Sequence, residues 1–241
     1  LPLPDCTGSR FDRKTDRANA GDGETQAGGM SVRQGPVVVV LAAGRGVRFR
    51  SGRGARAHKL EQPFGDSTVL ETTLAHVIQS RLPVVVVTTE ALQARVTATI
   101  AARDVVVLPG NGDEQPFGMG DSIAAGVTAR SNASGWMVLP GDVPLVQPAT
   151  LRAVAAAMPH HPVVYAQHRG RRGHPVAFAA ELYSELARLS GDEGARRLVA
   201  RYPAFGVEVP DGGVLLDVDT EQDLERLRSL HAAHAGEAAV D

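Results

Sequence analysis

Six short runs rich in valine constrain this chain more than any other feature: residues 37–41, 84–88, 105–108, 137–139, 163–165 and 205–209. A strand that faces water on one side alternates apolar and polar residues, whereas a strand covered on both faces does not. Between the runs lie helical periods. Val69, Leu70, Thr73, Leu74, Val77 and Ile78 recur at three and four, as do Leu151, Val154, Ala155 and Met158. Strands alternating with helices imply a mostly parallel sheet with right-handed crossovers. The expected fold is a single α/β domain over residues 35–234, a three-layer sandwich whose central sheet includes one antiparallel strand. A final helix is expected over 221–233, carrying Leu224, Leu227 and Leu230, with acids at its start and Arg226, Arg228 and His231 later, as the helix dipole favours.

Residues 1–34 differ in kind. They mix Asp, Arg, Lys, Gly and Thr with almost no β-branched apolar residue, and such a segment does not repay the entropy of ordering it. They are expected to be a disordered or loosely attached extension, with 235–241 a frayed tail. The net charge of -2 offers no general attraction to nucleic acid or anionic lipid. The single cysteine, Cys6, excludes an internal disulfide and a cysteine-rich metal site. No apolar run approaches the roughly 20 residues of a membrane span, and the first thirty residues contain no apolar stretch of a signal peptide. A cytoplasmic protein is the expectation.

Chemistry is expected at the carboxyl ends of the strands, where open parallel sheets meet their ligands. LAAGRGVRF (residues 41–49) follows the first run directly. Gly44 and Gly46 permit a tight turn that aims backbone amides at an anion, and Ala42 and Ala43 leave the approach uncrowded. The third glycine of a dinucleotide fingerprint and the Gly-Lys-Ser/Thr of a P-loop are both absent. Downstream, Arg45, Arg48, Arg50, Arg53, Arg56, His58 and Lys59 accumulate without an acid. The stretch is either a solvated basic loop or a seat for a compact anion such as a triphosphate, whose oxygens suit Arg forks and Lys point charges. No aromatic platform for nucleic acid accompanies it.

Opposite that charge stands LPGDVPLV (139–146), where Gly141 and two prolines stiffen a turn that presents Asp142 just past a buried strand. Asp142 either accepts backbone hydrogen bonds or supplies the carboxylate for the Mg²⁺ that a triphosphate pocket needs. Asp217 and Asp219, two apart, share one side of an extended segment; one is a metal candidate, and Asp219 stands equally where it would cap the final helix. NGDEQPFGMGDSIAAG (111–126) reads as a loop serving a site, with Asp121 or Ser122 as an N-cap and the amides there available to an anion. In RGRRGHPVAF (169–178), Gly173–His174–Pro175 reads as a turn before a short strand. His174 lacks zinc-ligand neighbours and is a candidate for orienting substrate. GDEGARRLV (191–199) reads as a loop entering a short helix, with Arg196 a candidate for meeting an anionic acceptor.

LAAGRGVRF with its downstream Lys59, GMGDSIAAGV, LPGDVPLV, RGHPVAF, GDEGARRLV and LLDVDTEQDL occur in an order that resembles the MobA-like nucleotidyltransferases, most closely their molybdenum cofactor cytidylyltransferases. The resemblance covers about residues 36–230. It implies a Rossmann-like sandwich and transfer of CMP from CTP to the phosphate of molybdopterin, with release of pyrophosphate. It implies that Leu41, Ala42, Ala43, Gly44, Arg45, Gly46, Lys59 and Gly141 bind nucleotide, and that Arg48, Lys59 and Asp142 serve catalysis. Asp142, and more weakly Asp217 and Asp219, would hold Mg²⁺; Ser122, His174 and Arg196 would meet the acceptor. Ala43 matches the cytidylyl form of the loop. A molybdoenzyme of the xanthine dehydrogenase type is the implied client. The chain departs from the family in the longer span between Arg48 and Lys59 and in Asp121, where a small hydroxyl residue is common. A related transferase with another nucleotide or a sugar-phosphate or isoprenoid-phosphate acceptor shares the first loop, and a non-catalytic nucleotide- or cofactor-binding protein would keep the fold.

Overall fold

Valine-rich segments build the centre of the molecule. In the computed structural model, which describes residues 35–44, 46, 49, 58–109 and 117–238, seven strands form one sheet: β1 (Val37–Ala42), β4 (Val84–Thr89), β5 (Val105–Leu108), β6 (Gly135–Pro140), β7 (Val163–His168), β8 (Arg171–Ala179) and β9 (Ala204–Glu208). Their order is β5-β4-β1-β6-β8-β7-β9. β8 alone runs antiparallel to its neighbours, so β1, β4, β5, β6, β7 and β9 share one direction. Two further strands, β2 (Pro63–Phe64) and β3 (Ser67–Thr68), form a separate hairpin. The extension 1–34, residues 45, 47, 48 and 50–57 with Arg45, Arg48, Arg50, Arg53 and Arg56, the first part of the 111–126 loop (residues 111–116) and the last three residues lie outside the described residues.

Alternate residues of each buried strand face opposite helix layers, which is why the strands show no polar alternation. Val38, Val40 and Ala42 of β1 pack with α1 (Val69–Ser80), α2 (Glu90–Thr97), α4 (Pro148–Ala157) and α7 (Glu221–Ala238). Val37 and Val39 pack on the other side with α3 (Met119–Thr128), α5 (Tyr183–Leu186) and α6 (Arg196–Arg201). The result is the expected three-layer α/β sandwich. None of the helices is long and apolar enough to cross a membrane among the described residues.

Three local readings are corrected. Gly173–His174–Pro175 is no turn: β8 runs straight through it. Pro175 lacks an N–H for the ladder, and the pairing with β7 shifts register between Tyr165 and Gln167. The N-cap of α3 is Gly118 rather than Asp121 or Ser122. Asp121 is the third helical residue, and its carboxylate accepts from the Gly118 N–H at 2.9 Å and the Gly191 N–H at 3.0 Å. The glycines of GMG serve that docking, because a Cβ on Gly118 would stand 2.1 Å from the Gly191 carbonyl carbon. Lastly, Thr220, not Asp219, caps α7: its hydroxyl accepts from the Asp223 N–H at 3.2 Å while Asp223 accepts from the Thr220 N–H at 2.8 Å.

Candidate active site

β1 and β6 are adjacent and parallel, so the residues that follow them meet at one edge. The Gly141 N–H donates to the Leu41 carbonyl at 2.9 Å. A Cβ on Gly141 would lie 3.0 Å from that same oxygen, a tight contact that any larger residue would meet only by a small shift of one of the two turns. Asp142 is thereby fixed beside the end of β1. Its own carbonyl accepts from the Val218 N–H at 3.0 Å, which draws the segment 217–219 alongside. Val218 is fully buried, and the alternation turns both flanking acids toward Asp142. One carboxylate oxygen from each of Asp142, Asp217 and Asp219 lies within 4.8 Å of the other two.

Lys59 enters this group from the other side. Its ammonium pairs with Asp142 Oδ2 and donates to Asp219 Oδ1 at 3.1 Å. Burial alone would depress the lysine, but the two carboxylates outweigh it and hold the group above its ordinary value, so it stays charged. The Asp217 carboxyl is raised, by desolvation first and then by the charges of Asp142 and Asp219, with Lys59 opposing. Among the described residues, Lys59 thus pairs with two of the three carboxylates, and its charge also opposes the rise at Asp217.

His58, counted in the sequence only as one of a basic stretch, and Asp211, given no role there, assemble the site. His58 Nδ1 accepts from the Leu60 N–H at 3.3 Å, so the Nε2–H donates to the Gly44 carbonyl at 3.0 Å and ties the glycine turn to the Lys59 segment. Gly46 has φ +59° and lies against the Lys59 side chain, a Cβ there standing 3.5 Å from Lys59 Cγ. Asp211 accepts from the Gln147 N–H at 2.8 Å, the Thr150 hydroxyl at 2.7 Å and the Gly213 N–H at 2.9 Å. It pins the start of α4 to the segment leading to Asp217. Its only signal in the sequence is an acid before Gly212–Gly213, which marks a turn but not its distant partners.

Leu41, Ala42, Ala43, Gly44, Gly46, Lys59, Asp142, Gly141, Asp217 and Asp219 therefore gather at one sheet edge, while Arg45 and Arg48 fall outside the described residues. His174 stands on β8, the strand on the other side of β6, and is half-buried. Ser122 is buried, and its hydroxyl donates within α3 to the Gly118 carbonyl at 3.2 Å. Arg196 is exposed at the first position of α6. The donor set fits a hard divalent cation: it is all oxygen, it carries excess negative charge, and Asp142 Oδ1 is buried without a hydrogen-bond partner.

A glycine turn, a half-buried lysine and clustered carboxylates at the carboxyl edge of a parallel sheet mark the class of α/β proteins that handle phosphorylated nucleotides. Residues 38–206 match the model of the MobA-like NTP transferase domain, and the chain belongs to that family. It is 38% identical over 120 residues to the bifunctional protein GlmU of Burkholderia thailandensis, covering 50% of this chain and 25% of GlmU. It is 32% identical over 116 residues to the purine catabolism protein PucB of Bacillus subtilis, covering 46% of this chain and 56% of PucB. The chain thus spans about half or less of the curated relatives it matches. Among solved structures, Rv0371c of Mycobacterium tuberculosis aligns with TM-score 0.68 and 33% identity over 81% of this chain and 98% of that one. A structure of Rv0371c in complex with manganese aligns with TM-score 0.65, 32% identity and cover of 81% and 99%.

Proposed function

We propose that this chain transfers a nucleoside monophosphate from a nucleoside triphosphate to a phosphate-bearing acceptor and releases pyrophosphate. The observation that carries the reading is the lysine–carboxylate group of Lys59, Asp142, Asp217 and Asp219 beside the Gly44–Gly46 turn. Asp142, with Asp217 and Asp219, would hold Mg²⁺, a role supported by the manganese complex of the similar Rv0371c. When bound there, the cation would supply stabilisation of the negative charge that grows during phosphoryl transfer. The Leu41–Gly46 backbone cradles the triphosphate, and Lys59 neutralises it. An ionised acceptor phosphate is already a nucleophile, so no covalent side chain is required. The protein's work is alignment and electrostatics.

The relatives' names span different proteins, and this breadth favours the wider reading, in which the nucleotide and the phosphorylated acceptor, a sugar phosphate or isoprenoid phosphate included, are open. A narrower reading, CTP with molybdopterin and a client of the xanthine dehydrogenase type, rests on Ala43 in the first loop together with GMGDSIAAGV, RGHPVAF and GDEGAR. A matrix of nucleoside triphosphates against acceptors, read as Mg²⁺-dependent pyrophosphate release, separates them. Turnover with CTP and molybdopterin above all other pairs supports the narrow reading, and equal or better use of GTP defeats it. Nucleotide binding without turnover for any pair would make the chain a binding protein.

A further inference from the structure

The amino end of α3 is filled by the chain itself. One oxygen of Asp121, Oδ2, accepts from two backbone donors, the Gly118 N–H at 2.9 Å and the Gly191 N–H at 3.0 Å. The Gly191 carbonyl in turn accepts from the Gly120 N–H at 2.8 Å. Glycines let the two segments approach: a Cβ on Gly120 would stand 2.7 Å from the Ser190 carbonyl oxygen, and Gly191 and Gly194 hold φ at 68° and 56°. The loop 190–194 is thus latched to the first turn of α3 through a carboxylate.

This junction stands at the edge that carries the candidate site. β5 and β6 run in one direction, so the helix that joins them starts at the carboxyl edge of the sheet. Gly126 packs on Val39 of β1 and Val87 of β4. Met119 lies two turns earlier, about 10 Å along the axis, level with the end of β1. A helix start with free amides attracts phosphate. Here the Asp121 carboxylate takes the amides and adds a negative charge. The loop brings no surplus of positive charge to offset it, since Asp192 and Glu193 balance Arg196 and Arg197, and Glu193 pairs with Arg197. Met119 is half exposed beside them.

We propose that Asp121 is a specificity-determining residue: its carboxylate stands in for an anion at the amino end of α3, holds the 190–194 loop there and closes that side of the site to phosphate. The phosphates of a substrate are thereby left the Lys59 side, and an uncharged part of a substrate the side of Met119. This consequence rests on the proposed function above; the latch and the closure to phosphate do not.

Inorganic phosphate titrated into the full chain, followed at the Gly118 and Gly191 amides by ¹H–¹⁵N spectra and hydrogen exchange, tests the proposal. In the parent both signals are expected to stay in place. In Asp121→Ser the Gly191 amide is expected to exchange about tenfold faster or more, and phosphate is expected to shift both signals and slow that exchange again. Asp121→Asn keeps the volume and an acceptor oxygen without the charge, and carries the same test if the serine variant does not fold. The same directions are expected of it at smaller size, because a charged acceptor makes the stronger hydrogen bond. Parent amides that move with phosphate overturn the proposal, as does a folded variant whose Gly191 amide exchanges like the parent's. Variant amides indifferent to phosphate also overturn it, since Asp121 would then be a helix cap that holds no anion's place. A parent chain whose amides behave as expected but which turns over no nucleoside triphosphate with any acceptor supports the latch and defeats the proposed function.

Discussion

Replacing Asp142 with Asn removes one charge and almost no volume, so it isolates the electrostatic part of that residue's role. Lys59 keeps Asp219 as a partner at 3.1 Å, and crowding among the three carboxylates eases. Stability should therefore change by less than about 1 kcal/mol. Pyrophosphate release should fall by at least about 100-fold, or about 2.7 kcal/mol of transition-state stabilisation. Melting temperature and turnover on one preparation check both halves, and a folded variant with near-normal turnover at low Mg²⁺ would remove Asp142 from the metal site. Lys59 makes the converse case. Lys59→Met strips the internal cation from three clustered acids, so the chelated protein should lose about 3 kcal/mol. Divalent cation should restore more stability to this variant than to the parent, and Mn²⁺ should bind it more tightly without nucleotide, while turnover falls. Melting curves with and without Mg²⁺ decide it; a variant no more responsive to cation than the parent would show that lysine and metal do not compete for these carboxylates.

At the scale of elements, the site is a junction of backbones as much as of side chains. The Val218–Asp142 and Gly141–Leu41 hydrogen bonds set the spacing of three segments, and Asp211 anchors the third of them to α4. Asp211→Ala leaves the Gln147 and Gly213 N–H groups and the Thr150 hydroxyl without their acceptor. The expected cost is about 1–3 kcal/mol by urea unfolding, with weaker Mn²⁺ binding because Asp217 and Asp219 lose their tether. A variant that loses stability but binds Mn²⁺ as the parent does would make Asp211 a structural cap alone. Glycines contribute through contact: Gly118 against Gly191, Gly126 against Val39 and Gly173 against Val214 each sit where a Cβ would fall within 2.4 Å of a neighbour.

For the whole molecule, and among the described residues, the sheet and both helix layers are built from β1 onward, and the family match begins at residue 38. A chain starting at Met30 is therefore expected to keep its unfolding midpoint and its turnover. Loss of either on truncation would show that the extension serves the domain. Sheet order also gives the molecule two flanks about Asp142: β1 with its glycine turn on one side of β6, and β8 with His174 on the other.

The strands, the layers and the edge on which chemistry gathers were legible in the sequence, because burial on both faces removes polar alternation and parallel crossovers place every βα turn at the same end. Asp142 was legible for the same reason, fixed by a stiff local turn. Arg45, Arg48, Arg50, Arg53 and Arg56 fall outside the described residues. The pairing of Lys59 with Asp219, 160 residues apart, was not legible, nor the release of Asp219 from capping by Thr220, nor the strand running through Pro175. Local periodicity specifies elements and their exposed edges. Which polar groups meet there is decided by how closely backbones pack, at Gly118, Gly141 and Gly173 above all, and only the assembled sheet sets those distances.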